Sequence, residues 1–136
     1  MTYTQPDAIA AIARAIQTEQ NYVFAAGLAG AFLRGAGRRR AVNQLAEHRA
    51  RLQVNTALVD PADVPPTPPG FTPESPITNP KTARSALAAL SNALVGVYAD
   101  VASVTEGADR ATAIAWAQAS ARDAVRWGAA SQAFPT

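Results

Sequence analysis

The sequence contains no cysteine. Disulfides, thiolate metal centres and cysteine nucleophiles are therefore excluded. It has a single histidine, His48, so no site can draw two imidazoles from one chain. There are four glutamates, Glu19, Glu47, Glu74 and Glu106, and one lysine, Lys81. Aromatic residues make up 7% and charged residues 16% of the 136 positions. No phosphate loop is present, because Gly35-Ala36-Gly37 is short and follows a helical segment rather than a strand. No serine has a free histidine–acid pair at motif spacing. These shortages leave few acid–base mechanisms. No catalytic residue and no organic cofactor is expected, and the chain is read as a non-enzyme.

Long apolar runs are also missing. The longest, Tyr22 to Leu33, is 12 residues with Gly27 and Gly30 inside it, short of the roughly 20 that a span requires. Asp7 sits early and no basic segment precedes an apolar one, so no signal peptide is read. The expectation is a cytoplasmic protein without a membrane partner. Net charge is +2 with eleven arginines. A nucleic-acid binder shows its basic residues clustered on one face. The one cluster along the sequence is Arg38-Arg39-Arg40, so no nucleic-acid partner is expected.

What the sequence has is alanine, 33 residues, and helical patterning. Four segments are predicted helical, near 5–34, 38–59, 80–104 and 108–128. The first carries Ile9, Ile12, Ile16, Val23, Ala26, Gly30 and Leu33 at spacings of three and four, the stripe of a core-facing helix. Thr4 and Asp7 have capping-box spacing at its start, with Pro6 in the first turn. The second is assigned a core stripe of Val42, Leu45, Leu52, Thr56 and Val59. The third opens on Asn79-Pro80, an N-cap followed by proline at the first helical position. Its stripe is Ala83, Leu87, Leu90, Leu94, Val97, Val101 and Val104. The fourth is expected to turn Ile114, Ala117, Ala121 and Val125 to the core, leaving Trp116, Ser120, Asp123 and Trp127 on the opposite side.

Residues 60–79 hold seven of the ten prolines and cannot be regular helix. Extended at ~3.1 Å per residue, such a segment reaches the full length of a bundle. Short turns join helices one and two and helices three and four, so each pair is antiparallel. One long crossover between the second and third helices is the ferritin-like arrangement. The expectation is an all-α, ferritin-like four-helix bundle forming one domain over 1–136. So much alanine gives a thin bundle with little buried area per residue, which favours a homodimer.

Glu19 falls on the core-facing stripe of helix one, and a charged group there needs a partner. Glutamates so placed ligate metal in di-iron bundles, which also need Glu-x-x-His on two helices. The residue three before His48 is Leu45, so that motif fails and a di-iron site is excluded. Two readings of Glu19 and His48 stay open: a core hydrogen bond, or a single weakly held divalent metal or small ligand. Around a turn centred near Ala36, the two differ in height by about five residues, or roughly 7.5 Å. Because the helices run opposite ways, leaning side chains change that gap. Glu19 is expected to be buried against a basic side chain of helix two. Arg38, Arg39 and Arg40 oppose the helix macrodipole at the start of helix two. They read as a phosphate or nucleic-acid contact, or as a solvated turn or contact with a partner's carboxylate. Trp116 and Trp127 are a second candidate interaction surface. Their cover is expected from Pro65, Pro66, Pro68, Pro69 and Phe71 of the crossover, or from a second subunit.

Together the segment Glu19-Gln-Asn-Tyr-Val-Phe-Ala-Ala-Gly, the run Glu47-His48-Arg49-Ala50-Arg51-Leu52, the stretch Pro69-Gly-Phe-Thr-Pro-Glu-Ser-Pro-Ile-Thr-Asn-Pro and the closing Arg126-Trp127 and Ala133-Phe134-Pro135 carry a resemblance. The chain resembles the actinobacterial ferritin-like domain family of unknown function from about residue 8 onward. The resemblance implies a four-helix ferritin-like fold, often dimeric, without an established activity. The family pattern has histidine after the first-helix glutamate and an acid in the middle of helix three. Here those places hold Gln20 and Ser91, which removes two candidate ligands. The function expected is that of a non-catalytic structural or interaction protein, with degenerate metal or small-ligand binding at Glu19 and His48 as the alternative.

Overall fold

The computed structural model describes residues 2–68 and 76–129. Four helices follow one another: α1 (Pro6–Phe32), α2 (Gly35–Thr56), α3 (Pro80–Val104) and α4 (Gly107–Arg126). A short 3-10 turn, Pro61–Asp63, opens the crossover between α2 and α3. No strand occurs among the described residues.

Local chemistry sets the helix ends. Asn79 accepts from the Thr82 backbone N–H at 2.9 Å, and the Thr82 hydroxyl accepts from the Asn79 N–H at 3.0 Å, a reciprocal capping box behind Pro80. The expected box at Thr4 is not formed. α1 starts one residue later, at Pro6, with Gln5 as an N-cap whose side chain makes no capping bond. Proline has no N–H to satisfy, and its fixed φ starts the helix without help. Both hairpins use the same turn. A buried residue, Leu33 or Thr105, is followed by an exposed charged one, Arg34 or Glu106, and then by glycine at φ +57° or +59°. Gly35 and Gly107 are required there, since a Cβ disfavours that left-handed conformation.

Hydrogen bonds define the directions. α1 and α3 run antiparallel: Tyr3 reaches Asp109 at 2.7 Å past the end of α3, Arg14 faces Asp100 at 3.4 Å, and Glu19 meets Tyr98 at 2.6 Å. α2 returns along α1, so that the Tyr3 N–H donates to the Leu58 carbonyl at 2.8 Å. α2 and α3 therefore point the same way, and the crossover must travel the length of the bundle. Gln20 reaches the Pro65 carbonyl and the Thr67 hydroxyl, each at 3.5 Å, and holds the crossover along α1. The fold is the ferritin-like four-helix bundle with one crossover. α3 is by length and composition apolar enough to cross a membrane, but Leu87, Leu94, Tyr98 and Val101 are buried inside the bundle.

The stripes expected on α1 and α3 are largely those buried, with Ile12, Ile16, Leu87 and Leu94 at 0% exposure. Those expected on α2 and α4 are corrected. Val42 is 55% exposed, and Leu45, Leu52 and Thr56 are half-buried; only Val59, beyond the helix, is fully inside. The buried face of α2 is Ala41, Gln44, His48, Arg51 and Asn55. On α4, Ile114 and Val125 are 45% and 46% exposed, whereas Ser120, Asp123 and Trp127 are buried. Trp116 packs half-buried against the core. Each of these two helices turns a polar stripe inward because its groups find partners on the other helices.

Candidate functional site

The buried polar stripes meet in a layer along the bundle axis. α1 supplies Glu19 and Tyr22, α2 supplies Gln44, His48, Arg51 and Asn55, α3 supplies Ser91 and Tyr98, and α4 supplies Ser120 and Asp123. Glu19 and His48 are 0% and 1% exposed, and Oε1 lies 2.5 Å from Nδ1. The other carboxylate oxygen accepts from the Tyr98 hydroxyl at 2.6 Å. The Tyr98 oxygen in turn accepts from the Asn55 amide at 3.1 Å. On the far side, the His48 ring stacks on Tyr22 with centroids 3.8 Å apart. The Tyr22 hydroxyl donates to the Gln44 side-chain carbonyl, which also accepts from the Trp127 indole at 2.8 Å. One chain of contacts thus links Asn55 to Trp127 through Glu19 and His48.

Burial pushes the Tyr98 hydroxyl far above the ordinary tyrosine value, and the neighbouring Glu19 adds to it. Burial also pushes Tyr22 up to about 12. Both remain neutral donors at any physiological pH. Asp123 is raised by burial, against the opposing pull of Arg51, Arg126 and His48. Arg51, 7% exposed, donates to the Ser120 hydroxyl at 3.3 Å and lies over the rings of Tyr98 and Trp116. Among the described residues, two buried side-chain polar atoms have no protein partner, Nε2 of His48 and Oγ of Ser91. With Nδ1 directed at Glu19, Nε2 is the ring nitrogen left without a protein partner. Such an atom is satisfied by a hydrogen bond with a small polar group such as water.

The two metal candidates are therefore brought together. Both Glu19 oxygens are engaged by neighbouring side chains, and no group of three or more His, Asp or Glu side chains is placed to hold a metal among the described residues. The stripe Gln44, His48, Arg51, Asn55, at spacings of four, three and four, was the signal available for this layer. On α4, Trp116, Ser120, Asp123 and Trp127 repeat that spacing, and this stripe is the inward one.

The remaining candidates are dispersed. Trp127 is covered by Gln44 and by the Arg40 guanidinium, 5.4 Å from its ring. Trp116 is met edge-on by Tyr98. The expected cover by the crossover is corrected, since Pro65, Thr67 and Pro68 lie against α1 and α2 instead; Pro69 and Phe71 fall outside the described residues. Two surface concavities remain of interest. One, of about 490 Å³, lies between Val23, Phe24, Gly27 and Leu28 of α1 and Leu45 and Arg49 of α2, with Thr67 and Pro68 as a wall. The other, of about 370 Å³, is lined by Gly35, Arg38, Arg39, Val42 and Asn43.

Charge is divided between the two ends of the bundle. The end at Gly35 also holds the start of α3, where the Arg84 guanidinium reaches Gly37, and the end of α4, where Arg40 contacts the Arg126 carbonyl at 3.5 Å. Arg34 sits in its turn, followed by Arg38, Arg39 and Arg40 on α2. α3 adds Lys81 and Arg84, and α4 adds Arg122 and Arg126. Asp123 is the one carboxylate there among the described residues. The opposite end holds Asp7, Asp60, Asp63, Asp100, Glu106 and Asp109 against Arg14 and Arg110.

These features define an all-helical, single-crossover bundle with a closed polar interior. The chain belongs to the family described as Domain of unknown function (DUF4439), which matches residues 11–136. Among solved structures it is similar to a conserved hypothetical protein, rv2844, from Mycobacterium tuberculosis. That likeness has a TM-score of 0.81 at 21% identity and covers 91% of this chain and 97% of the other. At that identity it speaks to the fold alone. No curated protein matches the sequence.

Proposed function

We propose that this protein is a non-catalytic interaction module, built on a ferritin-like scaffold and working as a homodimer. The observation that carries the reading is the engagement of both Glu19 oxygens, by His48 and by Tyr98, at the place where a di-iron bundle would present an open ligand. A carboxylate so engaged holds helices together. The working surface is then external. The α1–α2 face supports pairing with a second copy: Phe24, Leu28 and Val42 are exposed large apolar residues, and Gly27 and Gly30 leave open space where a side chain would stand. Small residues of this kind let a facing helix approach closely.

A second reading is favoured by one atom, the unpartnered Nε2 of His48. On that reading the interior binds a small ligand or a weakly held divalent metal at Glu19 and His48. Sedimentation and elemental analysis of protein purified without chelator separate the two. The expected result is a dimer without stoichiometric metal that becomes monomeric in Phe24→Glu. A monomer throughout the micromolar range overturns the dimer. Stoichiometric metal that is lost in His48→Gln supports the second reading.

A further inference from the structure

We propose that the basic end of the bundle is a docking surface for the phosphate backbone of nucleic acid, read without regard to base sequence. Along the sequence only Arg38-Arg39-Arg40 is clustered. The fold brings eight of the twelve basic residues to one end, drawn from α2 with its N-cap Arg34, from α3 and from α4. Seven of the eight are arginine, whose planar fork suits phosphate oxygens.

Two further features point the same way. α2 and α3 both begin at this end, and their N-terminal dipole ends add positive potential to the cations already there. Arg34, the N-cap of α2, makes no side-chain capping bond, and Arg38 and Arg39 border the concavity at Gly35. Cations at a helix N-terminus destabilise it unless an anion is bound. The acids gathered at the opposite end turn the basic end toward a polyanion during approach, although the net charge is only +2.

Nucleic acid is favoured over a lipid surface by where the apolar residues lie. Membrane-surface binding inserts exposed aromatic or leucine side chains beside the basic ones. Among the described residues at this end, Phe32, Leu33 and Trp127 are instead packed in the core, and the apolar side chains exposed beside the arginines are the short valines Val42 and Val125. The most exposed aromatic among the described residues, Phe24, is on the side of the bundle.

Anisotropy of a dye-labelled, mixed-sequence DNA duplex titrated with the full chain tests the proposal. The expected result is binding at low salt whose log K falls with log salt by about 0.9 per phosphate contact. Arg38→Glu/Arg39→Glu should weaken it about ten-fold or more, and Arg84→Gln should weaken it less. Arg14→Glu, at the acidic end, should bind as wild type. Circular dichroism confirms that the variants keep their helices. Absence of binding at low salt, or equal weakening by Arg14→Glu, overturns the proposal. So does uptake by phosphatidylserine vesicles without uptake by the duplex, or salt-sensitive end-to-end association of the chain that leaves the duplex free.

Discussion

Glu19 and His48 meet at 2.5 Å because they stand level across the first hairpin, Glu19 thirteen residues before Phe32 at the end of α1 and His48 thirteen residues after Gly35 at the start of α2. The offset of about five residues expected from a turn centred near Ala36 is therefore corrected. The turn centres on Leu33 and Arg34, because α2 already begins at Gly35. The ion-paired or hydrogen-bonded contact then ties α1 to α2, and Tyr98 extends it to α3.

Removing Glu19 leaves the imidazole and the Tyr98 hydroxyl buried without their acceptor. Glu19→Ala should cost about 3–5 kcal/mol in urea denaturation, as the loss of one partner of a buried pair does. Tyr98→Phe removes one hydroxyl and should cost about 1–3 kcal/mol, leaving the Asn55 amide unsatisfied. A Glu19→Ala variant with unchanged denaturation midpoint would refute the role given to this contact.

Stability should fall on the alkaline side through the buried tyrosines. Their folded values are raised above the unfolded 10.0, Tyr22 to about 12 and Tyr98 beyond it. The neutral form is favoured in the native state, so the contribution is complete below pH 10 and is lost as pH climbs toward the folded values. Spectrophotometric titration should show ionisation of these two rings only with alkaline unfolding. Native-state tyrosinate from them at pH 10.5 would contradict their burial.

Asp123 carries the opposite expectation for an acid. Its folded value is raised by burial, so it favours the fold when protonated and loses that contribution as pH rises through the raised value. Thermal melts of Asp123→Asn and wild type should therefore diverge in the variant's favour from below pH 3.8 toward neutrality. A constant difference across that range would remove burial as the cause.

The orientation of α4 has a mutational signature. Trp127→Ala should cost about 3–5 kcal/mol, because it removes a buried ring and the donor to Gln44. Ile114→Ser, on the exposed face of α4, should stay within about 0.5 kcal/mol of wild type. The reverse ranking would restore its apolar stripe to the core.

Where the helices lie was legible because the signals are local. Pro6, the Asn79-Pro80 start, the glycines at 35 and 107 and the seven prolines of 60–79 each act within a few residues, through φ limits and missing N–H groups. The single crossover followed from those breaks, and α1 and α3 showed their inward faces because those faces are apolar. α2 and α4 did not. Gln44, His48, Arg51 and Asn55 are stable inside only where Tyr22, Glu19, Ser120 and Tyr98 receive them. A buried polar group is acceptable only with its partner, and the partner sits on another helix. The two charged ends have the same origin. Lys81, Arg84, Arg122 and Arg126 are far from Arg38 along the chain, and antiparallel packing alone carries them to the same end of the bundle.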